Sequence, residues 1–442
     1  MRGVVCDSRP ERTFNVMNES LDALQKTLEP YPWTYNATMI GALLLIAWAA
    51  NWLTKRVLLR GLRRPVAPAA FSLVTEWERR ISGYTGVPHA VAVNSGRQGM
   101  RLILEYLGIG RGDEVVIPAY TLASLVPLIR ETGAVPVPAD IDPDTLNVTP
   151  DHVMSRVTPR TRAVMLLHAF GSPAPAKETA EKLAPRGIPL IEDCAHAFGA
   201  RRNGLSVGGF GYAGFFSFEP NKPLSGLGGG MMVSHDPGLT SHIRNHMERL
   251  PLDPRTVWRK ADAVRREQFL AATGLAWLPL MLLSWPATGR WIRRIYRGAQ
   301  PVPSSMARFH PVQAALGLRR LDEFEASLER RRRVAARLSA ALPRGVRPQA
   351  VLPGGEPSWY FFVVRLPQPA EPVRRHMLWR YGIDAAVGEE VADDCARLLG
   401  WWDCPHTASA YACCMALPLW EGMSDHAVER VTRALERSMS CT

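Results

Sequence analysis

Phe215-Phe216-Ser217-Phe218-Glu219-Pro220-Asn221-Lys222, trailed by Gly226 and Gly228-Gly229-Gly230, is the stretch from which the fold is read. The phenylalanine-rich run predicts a buried strand, and the glycines after it predict a turn. A lone lysine in such a turn is ordinarily a solvated surface residue. This one follows a hydrophobic strand and has Ser217 five residues upstream, a hydroxyl suited to an anion. Shortly before it, Pro189-Leu190-Ile191-Glu192-Asp193 reads as a second buried strand that delivers two carboxylates to its end, followed by Cys194-Ala195-His196. A carboxylate placed there either hydrogen-bonds a cationic heterocycle or caps a helix N-terminus, and this segment alone leaves both open.

Outward from these two strands, short apolar runs alternate with helical stretches from about residue 88, the signature of an α/β domain. Strands are expected to end in polar or glycine-rich turns at residues 91–96, 115–121, 163–168 and 189–193. Ligands of such sheets gather at the carboxyl ends of the strands, which makes these turns the first candidates for a site. After residue 308 the pattern becomes helical over 311–319 and 321–342, then predicts a strand at 359–364 and a closing helix at 427–438. The run Arg330-Arg331-Arg332-Arg333 is expected to be a solvated helix face rather than a nucleic-acid site.

The chain has 442 residues, which fits two to three domains or one large two-domain enzyme. With 47% hydrophobic and 21% charged residues, wholesale disorder is excluded. The 35 glycines and 36 prolines follow no short period, which excludes a collagen-like chain. Seven cysteines, an odd number with no C-x-x-C pair, argue against a disulfide scaffold or zinc ribbon and fit a reducing compartment. Cys395, Cys404, Cys413, Cys414 and His406 cluster in sequence, but their spacing matches no usual ligand set, and no metal site is expected.

The net charge of +12 resides in two stretches, residues 54–66 with five positive charges and no acid, and residues 255–297 with nine bases against Asp262 and Glu267. Each adjoins an apolar run, and basic residues beside apolar runs point to anionic lipid rather than nucleic acid. The first run, residues 37–53, reads ATMIGALLLIAWAANWL. As a helix it would be about 25 Å long, slightly short of a hydrocarbon core of roughly 30 Å. Followed by Lys55 to Arg64, it predicts that everything downstream lies on the cytoplasmic side of the membrane. The second run, residues 269–288, carries Pro279 and Pro286 and has arginines on both sides. A full span there would separate parts that must fold together, so it is read as a bent segment lying in the interface, with burial between subunits as the competing reading.

The segments quoted above, together with Gly108-Ile-Gly-Arg-Gly-Asp-Glu-Val-Val-Ile-Pro-Ala-Tyr-Thr121, Asp140-Ile-Asp-Pro-Asp-Thr-Leu-Asn147, His168-Ala-Phe-Gly171, Gln313-Ala-Ala-Leu-Gly317 and Leu417-Pro-Leu-Trp-Glu-Gly422, resemble the DegT/StrS family of pyridoxal-phosphate (PLP) sugar aminotransferases. Each is weak alone; the ordered set is specific, and it covers roughly residues 88–438 apart from the apolar insertion near 250–303. The resemblance implies a fold-type-I PLP-transferase, an α/β fold with a mixed, mostly parallel sheet. With the apolar run read as an N-terminal membrane-associated helix, the chain divides into residues 1–66, a large PLP-binding domain over 67–304 with the apolar insert near 250–303, and a small α+β domain over 305–442. The resemblance makes Lys222 the residue that forms the internal Schiff base with PLP and Asp193 the partner of the pyridine nitrogen. Ala195 would pack on a ring face, and His196 would stand near the ring hydroxyl. Ser217 and the Ser95-Gly96-Arg97 turn would hold the phosphate, with the helix N-terminus at Gln98 adding its dipole.

Three departures stand out against that pattern. Arg97 replaces a threonine hydroxyl with a guanidinium, which still suits a phosphate. Leu122 stands where an aromatic ring often stacks on the cofactor, leaving the stacking weakened or supplied by Tyr120. Met306 stands where an asparagine is commonly donated across a dimer interface. The retained Lys222 argues against the family's dehydratase branch. The expected activity is amino transfer from an amino acid such as glutamate to a keto sugar, carried on a nucleotide diphosphate or, given the apolar runs, on a lipid. A homodimer at the membrane, with no nucleic-acid partner, is expected in envelope or polysaccharide biosynthesis. A PLP enzyme of another reaction class and a non-catalytic membrane scaffold are the competing readings.

Overall fold

The computed structural model describes residues 71–272 and 307–441. The apolar run at 37–53, most of the run at 269–288 and Met306 lie outside the described residues, as do the membrane readings built on them. Among the described residues no helix is long and apolar enough to cross a membrane.

The central sheet has seven strands: β1 (His89–Val93), β2 (Glu114–Pro118), β3 (Val135–Ala139), β4 (Thr161–Leu167), β5 (Leu190–Asp193), β6 (Ala213–Ser217) and β7 (Gly230–Ser234), in the order β1-β7-β6-β5-β4-β2-β3. Neighbours from β6 to β3 run parallel, and β7 runs antiparallel to both β6 and β1. Strands β2, β5, β6 and β7 are buried at every position, as expected where both faces of a sheet are covered. One face packs Met100, Ile103, Ile117, Met165 and Phe215; the other packs Val116, Val164, Leu166 and Phe170.

Antiparallel neighbours need no long crossover, so β6 passes to β7 through residues 218–229 alone. That short connection is the glycine-rich turn, and it places Lys222 at the carboxyl end of β6. Helix α1 (Ser72–Thr85) buries Trp77 and Ile81, and helix α2 (Gly96–Tyr106) follows β1 directly. Gly317, on the helix Pro311–Leu321, lets that helix close on Trp77: an added Cβ would come within 2.9 Å of the indole.

A second, antiparallel sheet gathers the C-terminal residues: β8 (Arg347–Pro348), β9 (Phe362–Arg365), β10 (Ala386–Val387) and β11 (Cys414–Leu417), in the order β8-β9-β11-β10. Its core joins Phe362, Val364 and Met415 to Val334, Leu338, Val373, Met377, Val431 and Leu435 from the surrounding helices. The strand expected at 359–364 begins instead at Phe362. Trp359 takes a φ of 51°, a left-handed conformation that turns the chain before the ladder starts.

The arginine run also differs from the solvated face expected. Arg331 Nη2 donates to Trp359 O at 2.6 Å, and Arg332 Nε donates to Pro357 O at 3.1 Å. Arg330 and Arg333 keep to the outside as expected, Arg330 paired with Glu421. Two of the four arginines therefore clamp the loop before β9, because its carbonyls have no strand partner of their own.

Candidate active site

Strands β5 and β6 lie side by side in parallel, with Asp193 opposite Phe215, so their carboxyl ends present Asp193 and the Lys222 turn to the same region. Burial pushes the Asp193 carboxyl up to about 6, against the Ala195 amide and the Lys222 charge, which hold it down. Burial pushes the Lys222 amine down to about 8, against the attraction of Asp193 and Glu219. Desolvation thus moves the acid and the base toward each other until both titrate near neutrality.

No helix begins after Asp193, so the cap reading fails: the carboxylate closes a local turn, and the heterocycle reading stays open. Its Oδ1 accepts a hydrogen bond from Ala195 N at 2.9 Å; Oδ2 has no hydrogen-bond partner among the described residues. The bonded oxygen fixes the carboxylate, and the other is available to a cation. The His168 peptide N–H secures the strand end, donating to Asp193 O at 3.1 Å.

His196 is 3% exposed and stacks on Tyr360, with centroids 4.5 Å apart, and more distantly on Phe170. Burial, then the Lys222 charge, holds the imidazole well below its usual range, so it is neutral. Its Nδ1 is buried without a partner. A ring nitrogen stranded in this way costs free energy unless a ligand satisfies it.

Ser95, Gly96 and Arg97 open helix α2. Ser95 is extended and its Oγ accepts Gln98 N at 3.2 Å. Gly96 packs so closely that an added Cβ would come within 3.2 Å of the Phe215 ring and 3.3 Å of Phe216 O. Ser95 bridges Gly229, while Gly230 pairs with both Val93 and Ser217, which draws the helix start, the glycine turn and Ser217 together. Neither the Arg97 guanidinium nor the Ser217 hydroxyl has a hydrogen-bond partner among the described residues. Burial pushes Arg97 down from its usual value, while the Glu219 charge pulls it up. A half-buried, unpaired guanidinium at a helix N-terminus favours an anion.

Tyr120 and Leu122 are placed apart. Tyr120 is 1% exposed in the core, edge-on to Phe170, with Oη buried and unpartnered. Leu122 is partly buried against the opposite core cluster. The aromatic ring beside Lys222 is Tyr360: Lys222 Nζ stands 4.1 Å from its centroid, and Asn221 Nδ2 donates to its Oη at 2.9 Å. Sequence reasoning missed Tyr360 because it is remote in the chain and sits in an apolar run that reads as strand.

His168, Glu192 and Cys194 bring potential ligand atoms within 4.8 Å of one another. Hydrogen bonds account for His168 and Glu192. His168 Nδ1 accepts Ala174 N at 3.0 Å, which assigns the proton to Nε2, 2.9 Å from Glu192. Glu192 also receives the amides of Gly208, Phe210 and Gly211. The role is structural: a saturated carboxylate beneath the site anchors the loop after β5.

The sequence profile of the DegT/DnrJ/EryC1/StrS aminotransferase family matches residues 70–436. An L-glutamine:2-deoxy-scyllo-inosose aminotransferase of Streptomyces fradiae is 31% identical over 306 residues, 66% of this chain. The alignment spans 62% of that relative's length. The spore coat polysaccharide biosynthesis protein SpsC of Bacillus subtilis (strain 168) is 28% identical over 82% of this chain and 88% of its own. Among solved structures, DesI in the presence of its TDP-sugar product superposes with a TM-score of 0.63 at 27% identity, covering 84% of this chain and 87% of DesI.

Proposed function

The chain belongs to the DegT/DnrJ/EryC1/StrS aminotransferase family, and we propose that it is an aminotransferase that uses PLP to move an amino group from glutamate or glutamine to a keto sugar. The observation that carries this is the pairing of buried Asp193 with half-buried Lys222 at the carboxyl ends of adjacent parallel strands, each shifted toward neutrality by desolvation.

The residues present fit the cofactor of this family. Asp193 Oδ2 would meet the protonated ring nitrogen, His196 Nδ1 gains the partner it lacks, and Ser95, Arg97 and Ser217 supply polar groups for the phosphate. When bound, the group supplies an aldehyde that captures an amine and a ring that takes up the electron pair left when a Cα proton departs. The chain's own residues do the rest. Lys222, held down to about 8, gives up and regains a proton at its Nζ near neutral pH. Asp193, through its unpaired Oδ2, would hold the ring nitrogen in its cationic form. Tyr360, on which His196 stacks, walls one side of the amine.

The inosose aminotransferase supports a polyhydroxylated cyclic ketone as acceptor, DesI supports a nucleotide-linked sugar, and SpsC supports a polysaccharide pathway. We read the acceptor as a nucleotide-linked keto sugar, and the apolar runs at 37–53 and 269–288 support membrane attachment on the cytoplasmic side, the enzyme acting as a homodimer. Purified full-length protein supplied with PLP is expected to show a visible absorption band that Lys222→Ala abolishes, and to aminate a keto sugar nucleotide in the presence of glutamate or glutamine, read by mass spectrometry. Absence of the band in the wild-type protein overturns the assignment. A band without amino transfer would favour another PLP reaction class.

A further inference from the structure

Helix α3 (Pro254–Ala272) starts just after Leu252, which bridges to Arg308, and its Lys260 reaches the turn that carries Lys222. Lys260 Nζ lies 2.6 Å from Glu219 Oε1, and the two side chains are only 19% and 28% exposed. Glu219 is bound to Lys222 through the backbone, its carbonyl accepting Lys222 N at 3.0 Å. The Lys260 stem also lies across Gly228, where an added Cβ would come within 2.3 Å of Nζ and 2.8 Å of Cδ. Gly228 has a φ of 104° and donates its N–H to Phe218 O at 2.9 Å. One side chain therefore touches the loop on both sides of Lys222, at residue 219 and at residue 228.

We propose that Lys260 is a positioning residue for Lys222: by pairing with Glu219 and covering Gly228 it fixes the loop, and it leaves Asp193 as the principal anionic partner of the amine. This rests on the reading of Lys222 as the amine that takes the cofactor aldehyde. The titratable groups around that amine come from several elements: the carboxylates Asp193 from β5 and Glu219 from its own turn, with neutral His196 from the loop after β5 and neutral Tyr360 from the approach to β9. Glu219 is faced by Lys260 from α3 and by Arg97 from α2. Both carboxylates favour the ammonium form of Lys222, and burial opposes them. Pairing Glu219 with a second cation cancels much of its field at Lys222. With Lys260 removed, Glu219 acts unopposed, and the free amine becomes scarcer at neutral pH.

The test reads the amine directly. Full-length, cofactor-free protein is pulsed with acetic anhydride across a pH series, and acetylation of Lys222 is quantified by peptide mass spectrometry. Lys260→Met is expected to raise the labelling midpoint by about half a pH unit, roughly a threefold loss of free amine at neutral pH. Glu219→Gln is expected to lower it, the double variant to return it near the wild-type position, and Lys260→Arg to leave it in place. A structural role alone would not move the two single variants in opposite directions. An unchanged midpoint in Lys260→Met overturns the proposal; if that variant fails to fold, an unchanged midpoint in Glu219→Gln does so. Since no cofactor is present, such a result leaves the assignment of Lys222 to the spectrum described above and removes only the role of Lys260.

Discussion

At the scale of single residues, the site stores unfavourable desolvation in two groups. The folded Asp193 carboxyl titrates near 6, above its ordinary 3.8, so the folded state holds the extra proton between those values. Stability must then fall as pH rises through that window, the reverse of a salt-bridged carboxylate. Lys222 titrates near 8, below its ordinary 10.5, so the unfolded state holds the extra proton there and stability rises with pH from 8 to 10.5. These two residues leave the cofactor-free protein least stable between about 6 and 8, where both are charged. Asp193→Asn keeps the size and the turn-closing bond from Ala195 while removing the buried charge. It is expected to raise the unfolding free energy of cofactor-free protein at pH 7 by about 1–3 kcal/mol in urea titrations. Amino transfer should fall by about 100-fold or more in the same variant. A variant that loses stability along with activity would show that Asp193 serves packing rather than charge.

At the scale of elements, the loop before β9 decides which aromatic ring reaches Lys222. Gly171 has a φ of 93°, and an added Cβ there would lie 2.6 Å from Ser358 Oγ and 2.8 Å from Tyr360 N. Its carbonyl accepts Ser358 N at 2.9 Å. Arg331 then holds the Trp359 and Tyr360 carbonyls from the opposite side. Gly171→Ala is expected to lower the unfolding free energy by about 2–4 kcal/mol, from backbone strain and contact with the loop. If it folds, weaker PLP retention in equilibrium dialysis is expected, because Tyr360 is displaced from Lys222. Wild-type stability and retention would show that the loop tolerates the shift. The phosphate side depends on a simpler element, the start of α2, where extended Ser95 caps the helix and Gly96 admits the Phe215 ring.

At the scale of the whole molecule, the described residues hold an α/β sheet and a second antiparallel sheet, with Tyr360 from the approach to the second reaching the amine at the edge of the first, and membrane attachment rests on the sequence outside them. Full-length protein is expected to sediment with vesicles rich in anionic phosphatidylglycerol, less so at 0.5 M salt on the order expected from screening. Deletion of residues 1–66 should weaken that binding. Protein that stays in the supernatant at low salt would remove the membrane from the reading. Much of the candidate site was legible in the chain because Asp193 and Ser217 end adjacent strands and Ala195, His196 and Lys222 follow them, and a strand fixes where its last residue points. Tyr360, the inward arginines and Lys260 were illegible for the opposite reason: each reaches the site from a distant segment, through a turn or a long flexible side chain that no local pattern encodes. Periodicity and turn chemistry specified the strands, their polar ends and the lysine between glycines, since these are short-range consequences of backbone geometry. Only the closing of the second sheet on the first decided which ring walls the amine, which cation neutralises Glu219, and how far desolvation moves the acid and the base, since burial is a property of the assembled fold.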